Sequence, residues 1–134
     1  MVLVMNLDEW IGYLQPTLAQ EGFTLDEVQP DLKYGERDAW AAYFKRDDCK
    51  LQLCWSDRTG GLNWMIAPLD APNEFALQNS SEKWKYMLML STASDSLKTP
   101  RPGADTKTEM EWLKALFKIH FPSAHAALAG QARG

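Results

Sequence analysis

Histidine and cysteine are the residue types best suited to bond-making or metal chemistry, and this chain carries two of each, His120, His125, Cys49 and Cys54. His120 and His125 are five residues apart with Pro122 between them. A zinc-binding helix needs spacing three or four, so that both imidazoles share one turn. Cys49 and Cys54 lack C-x-x-C spacing and neighbouring histidines, and two cysteines make no disulfide framework, so they read as reduced thiols. Cys49 sits in the charged turn Lys45-Arg46-Asp47-Asp48-Cys49-Lys50, where a cation could activate its thiol. A base for that thiol would have to come from elsewhere in the fold. Asp47 and Asp48 are adjacent, which is ordinary turn chemistry. Gly60-Gly61 joins two strand-like runs and leads into no helix, so the dipole and amide array of a phosphate loop are missing. The expectation is a non-enzymatic protein with no metal and no cofactor.

Charge and aromatic content point instead to binding. Residues 1–38 hold eight carboxylates (Asp8, Glu9, Glu21, Asp26, Glu27, Asp31, Glu36, Asp38) and two bases (Lys33, Arg37), a net of −6, so the rest of the chain carries +2 of the total −4. With a pI near 5.1 the general attraction to phosphate is absent and no nucleic-acid partner is expected. Clustered carboxylates next to aromatic residues suit a basic protein partner, docked by field and held by anchors. Asp26, Glu27, Asp31, Glu36 and Asp38 are the candidate contact acids, and Trp40 and Tyr43 the candidate anchors.

These residues must be positioned by a small set of elements. Leu7, Trp10, Ile11 and Leu14 repeat at helical spacing after a candidate cap at Asn6, and Asp8 and Glu9 favour the positive helix end. Pro16 predicts a kink or restart there, with Thr17 to Glu21 as a separate turn closed by Gly22. Phe23 to Asp38 reads as an acidic connector broken by Pro30 and Gly35. Three runs follow, 39–46, 50–56 and 62–67, rich in aromatic and branched residues and separated by turn residues. Leu51, Leu53 and Trp55 alternate with Gln52, Cys54 and Ser56, and Leu62, Trp64 and Ile66 alternate with Asn63, Met65 and Ala67.

Ser80 or Ser81 can cap a helix over the segment that follows, but the alternation in Lys83 to Leu90 favours a fourth strand, with Trp84 on the same heavy face as Trp55 and Trp64, and Met87 and Met89 on the other. Residues 91–103 read as a loop. Thr106-Lys-Thr-Glu109 has capping-box spacing, and Met110, Leu113, Leu116, Phe117 and Phe121 form a stripe ending at Pro122, with a short helical piece at 123–129. The predicted fold is a single α+β domain over 1–134: an N-terminal helix, an antiparallel meander of about four strands, and a C-terminal helix packed on one sheet face. The other face, half apolar, needs a cover from the loop at Leu69 to Gln78, a partner or a second copy, so a homodimer is one outcome.

The longest apolar run, Met87 to Leu90, is far short of the ~20 residues a spanning helix needs. Met1-Val-Leu-Val-Met-Asn lacks a basic n-region and a long h-region, so no membrane partner and a cytoplasmic location are expected. In size, acidity and lack of catalytic signature the chain resembles bacterial immunity proteins, which cover the active site of a toxin, often a cationic nuclease. That resemblance implies that Asp26, Glu27, Asp31, Glu36 and Asp38 stand in for phosphates, with Trp40 or Tyr43 as anchor. The chain is also similar in profile to type III secretion chaperones, small acidic α+β dimers. A third class is a small-ligand binder or enzyme using an aromatic pocket.

Overall fold

The structure, a computed structural model, describes residues 7–56, 61–100 and 105–133. Helix α1 (Leu7–Gln20) is followed by β1 (Thr24–Tyr34), β2 (Arg37–Lys45), β3 (Cys49–Ser56), β4 (Gly61–Pro68) and the two-residue β5 (Lys85–Tyr86). The one-turn helix α2 (Met87–Leu90) and the long helix α3 (Thr106–Arg133) complete the chain. The five strands form one antiparallel sheet in sequence order, the predicted meander of about four strands with one more, β1, at its start. The α+β class and the helices packed on the sheet are as expected. Asn6, expected as a cap, and residues 57–60 of the expected hairpin turn, including Gly60, lie outside the described residues.

Strand parity builds two cores. Trp40, Ala42 and Phe44 of β2, Leu51 and Leu53 of β3, and Trp64 and Ile66 of β4 face α1 and α3, where Trp10, Leu14, Leu18, Leu113 and Phe117 meet them. Ala39, Ala41, Tyr43, Cys54, Met65 and Ala67 point the opposite way, under Ala71, Phe75, Ala76 and Trp84. The loop after β4 therefore covers the second face. Gln52, fully buried in that face, pins it: its Oε1 accepts the Ala76 N–H at 3.0 Å and its Nε2 donates to the Glu74 carbonyl at 2.9 Å. Lys50 Nζ adds bonds to Ala71 O at 2.8 Å and Asn73 Oδ1 at 2.9 Å, and Trp84 Nε1 donates to Pro72 O at 3.0 Å.

Four expectations are corrected. The acidic connector is an 11-residue edge strand, β1, exposed or half-exposed throughout. It pairs with a strand buried on both sides, so its own faces carry no apolar alternation to read. The predicted fourth strand shrinks to Lys85–Tyr86, because the chain turns into α2 at Met87, and its faces are the reverse of those expected: Trp84 belongs to the second core and Met87 to the helix-side core. Both prolines are absorbed into unbroken helices. Pro16 and Pro122 are exposed, as are Gly12 and Lys118 four residues before them, so each freed carbonyl meets water. The α3 cap is Asp105, whose Oδ1 accepts the Thr108 N–H at 2.8 Å, one residue ahead of the predicted box.

Candidate functional site

The β1–β2 hairpin carries the predicted contact residues, and its geometry starts at the turn. Tyr34 pairs with Arg37, leaving Gly35 and Glu36 as a two-residue loop with φ of 59° and 72°. Positive φ at both positions matches the right-handed strand twist, and brings Glu36 to the tip. Lys33 then pairs with Asp38 and Leu32 with Ala39, but the next pair is Gln29 with Ala41. Pro30 and Asp31 together oppose Trp40, a bulge that bends the edge strand.

The bulge opens a cleft of ≈ 240 Å³ whose lining includes Pro30, Asp31, Leu32, Lys33, Asp38, Trp40 and Trp55. Trp40 and Trp55 are cross-strand partners with stacked rings, centroids 6.5 Å apart. Lys33 Nζ is ion-paired to Asp38, and that hydrogen bond raises the Lys33 pKa above its ordinary value. Trp40 is 5% exposed, and its Nε1 is a buried side-chain polar atom with no hydrogen-bond partner among the described residues.

All five predicted acids are exposed, but they form two groups. Asp31, Glu36 and Asp38 cluster at the hairpin end, whereas Asp26 and Glu27 lie toward the start of β1. There Asp26 Oδ2 and Glu27 Oε1 each accept from Asn73 Nδ2 at 2.8 Å, and Lys45 Nζ is 3.8 Å from Asp26. The aromatic part of the prediction changes. Tyr43 is fully buried on the second face, its hydroxyl donating to Gln29 Oε1 at 2.5 Å, and burial raises its pKa well above the phenol range. It presents no ring to a partner. Trp40 is a cleft wall with no exposed ring, and Trp55, half-buried beside it, is the more accessible indole.

Folding also assembles two histidine clusters that sequence separation hid. His125 on α3 meets the β2–β3 turn: its Nε2 lies 2.7 Å from Asp48 Oδ2, and Arg46 grips the same carboxylate with Nε at 2.6 Å and Nη2 at 3.3 Å. Arg46 is itself held, Nη1 donating to Glu21 O at 2.9 Å and the guanidinium about 5 Å from the ring centroids of Phe23 and Phe121. The Arg46 hydrogen bonds hold the Asp48 carboxyl far below the usual range. One donor atom each from Asp48, Cys49 and His125 lie within 4.8 Å of one another, a geometry a divalent cation could use. Arg46 already supplies the positive charge at Asp48, and burial, reinforced by Asp48, pushes the Cys49 thiol up to about 12. The cluster is a charge-balanced clasp between the α1–β1 connection, the β2–β3 turn and α3.

In the second cluster Ser91 Oγ is 2.8 Å from His120 Nδ1 and Asp95 Oδ2 is 2.5 Å from Nε2. A carboxylate accepts only, so the proton belongs on Nε2 and the Ser91 hydroxyl donates to Nδ1. The connectivity is that of nucleophile, base and orienting acid. Ser91 Oγ also accepts the Ala93 N–H at 3.0 Å, and Thr92 N donates to Ser123 Oγ at 2.7 Å, so the network ties residues 91–97 to α3.

A separate apolar cleft of ≈ 270 Å³ is lined by Leu62, Trp64, Tyr86, Leu88, Met89 and Trp112, among others. Met89 is 80% exposed, not on the covered sheet face where alternation places it. Among the described residues no helix is long and apolar enough to cross a membrane. Comparison with known proteins returns nothing: no family model matches the chain, and no curated protein or solved structure is significantly similar to it.

Proposed function

We propose that the chain is a non-enzymatic protein-binding module of the immunity type, which docks its β1–β2 edge onto a basic toxin or nuclease. The observation that carries this reading is the exposure of Asp26, Glu27, Asp31, Glu36 and Asp38 along one edge of the sheet. Bulges, Pro30 and carboxylates blunt that edge against strand addition. What remains is a charged surface that steers a cationic partner and rewards side-chain contacts. The second sheet face, which a chaperone-type dimer would use, is covered by residues 71–84.

The test is co-expression with the product of the adjacent reading frame. Suppressed toxicity and a stoichiometric complex support the proposal, and Glu27→Lys/Asp31→Lys/Glu36→Lys should lose suppression while keeping its melting temperature. Binding that ignores salt and the triple substitution sinks the electrostatic reading. The Leu62–Tyr86–Met89 cleft favours a second reading, a binder of small apolar ligands, tested by saturable quenching of tryptophan fluorescence with an apolar probe.

A further inference from the structure

We infer that the cleft opened by the Pro30–Asp31 bulge is an arginine-recognition slot, taking a guanidinium side chain and its own main-chain carbonyl from an extended segment of the partner. The inference rests on the proposed reading of this hairpin as the partner surface, and narrows it to one pocket.

Three independent features converge there. The first is charge: Asp31 and Asp38 line the cleft, and the cation already present is easily displaced. Lys33 and Asp38 side chains are 68% and 73% exposed, and a surface ion pair of that kind is worth little, so an incoming guanidinium can replace the lysine. A planar fork with five donors suits two carboxylates better than a lysine point charge. The second is the stacked pair Trp40 and Trp55, with Trp55 half-buried, which offers an indole for the guanidinium plane to lie against. The third is Trp40 Nε1, a buried donor without a partner on a residue that walls the cleft. Buried polar groups in folded proteins are nearly always paired, and this N–H has no acceptor among the described residues, so a small shift of the cleft wall would let a bound segment supply one. Asp31 and Asp38 answer the cation, and a main-chain carbonyl answers the indole.

The experiment titrates the uniformly 15N-labelled full chain with the capped peptide acetyl-Gly-Gly-Arg-Gly-Gly-amide and reads amide and indole resonances. The control peptide has citrulline in place of arginine, the same shape without charge. The expected result is a saturable downfield shift of the Trp40 indole N–H, absent with citrulline, and weakened about tenfold by Asp31→Asn/Asp38→Asn. Trp40→Phe assigns the indole signal. The exposed aspartate substitutions carry the test by themselves where that variant does not fold. Shifts along β1 and β2 that leave the Trp40 indole unmoved overturn the slot and leave the acidic-edge reading standing. Equal binding of arginine and citrulline peptides also overturns the slot. No change anywhere on the hairpin overturns the slot, while the co-expression experiment continues to judge the wider proposal separately.

Discussion

Replacing Gln52 by leucine should detach the cover of the second sheet face and turn a covered surface into a sticky one. The side chain is fully buried and makes two hydrogen bonds to the loop, one to the N–H of buried Ala76 and one to the carbonyl of half-buried Glu74. Leucine keeps roughly the volume and removes both partners. A buried N–H left unpaired costs about 1–3 kcal/mol, and a half-buried carbonyl that finds water loses about 0.5–1.5 kcal/mol, so the sum is about 1.5–4.5 kcal/mol. Against a total stability of about 5–15 kcal/mol this is large. A chain of this size should lose roughly 10 °C in Tm. Urea denaturation gives the free energy, and hydrogen exchange at Ala76 locates it. Once the loop lifts, Ala39, Ala41, Met65 and Ala67 are uncovered, and sedimentation should detect concentration-dependent association. A stability change below about 0.5 kcal/mol, with Ala76 still protected, would refute the idea that Gln52 holds this cover.

Further outcomes follow from local chemistry. Cys49 and Cys54 thiols are pushed up to about 12 by burial, so both should resist a thiol reagent at pH 8 in the native state and react on unfolding. Rapid native labelling would contradict the packing around them. Glu36 holds φ of 72° in the turn, so Glu36→Gly should raise stability by about 1 kcal/mol in denaturant titration; a loss would mean its carboxylate matters more than its backbone. The Asp48 carboxyl lies below its ordinary value of 3.8, mainly through Arg46, so its contribution is present above that value and fades as pH falls through the depressed one. Melting temperature should therefore drop less steeply below about pH 4 in Asp48→Asn than in the parent, though the variant starts lower at pH 7. Parallel curves would show that Asp48 is not the group responsible.

How much of this was legible in the chain depends on which residues bury a face. Leu51, Leu53, Leu62, Trp64 and Ile66 alternate against small or polar neighbours, and the strands and helix-side core they predict are those observed. The stripe from Met110 to Phe121 likewise packs as the periodicity requires. β1 escaped because an exposed edge strand has no such alternation, and its identity comes from the hydrogen bonds of β2. The acids were identifiable as exposed from their type alone. Tyr43 was misplaced because β2 is apolar on both sides, and only the covering loop determines that neither side is free.

Composition and local pattern by themselves determined the α+β class, the meander, the acidic first third and the terminal helices, since those depend on contacts within a few residues. Tertiary structure alone decided the rest. It joined His125 to Asp48 across 77 positions and His120 to Ser91 across 29, and set the bulge that stands Asp31 opposite Trp40. It also let two exposed prolines ride inside helices and decided which sheet face Trp84 and Met87 each take. These outcomes depend on where distant segments are brought together and on which backbone groups water can still reach, and neither quantity is written in the order of residues along a strand or a turn.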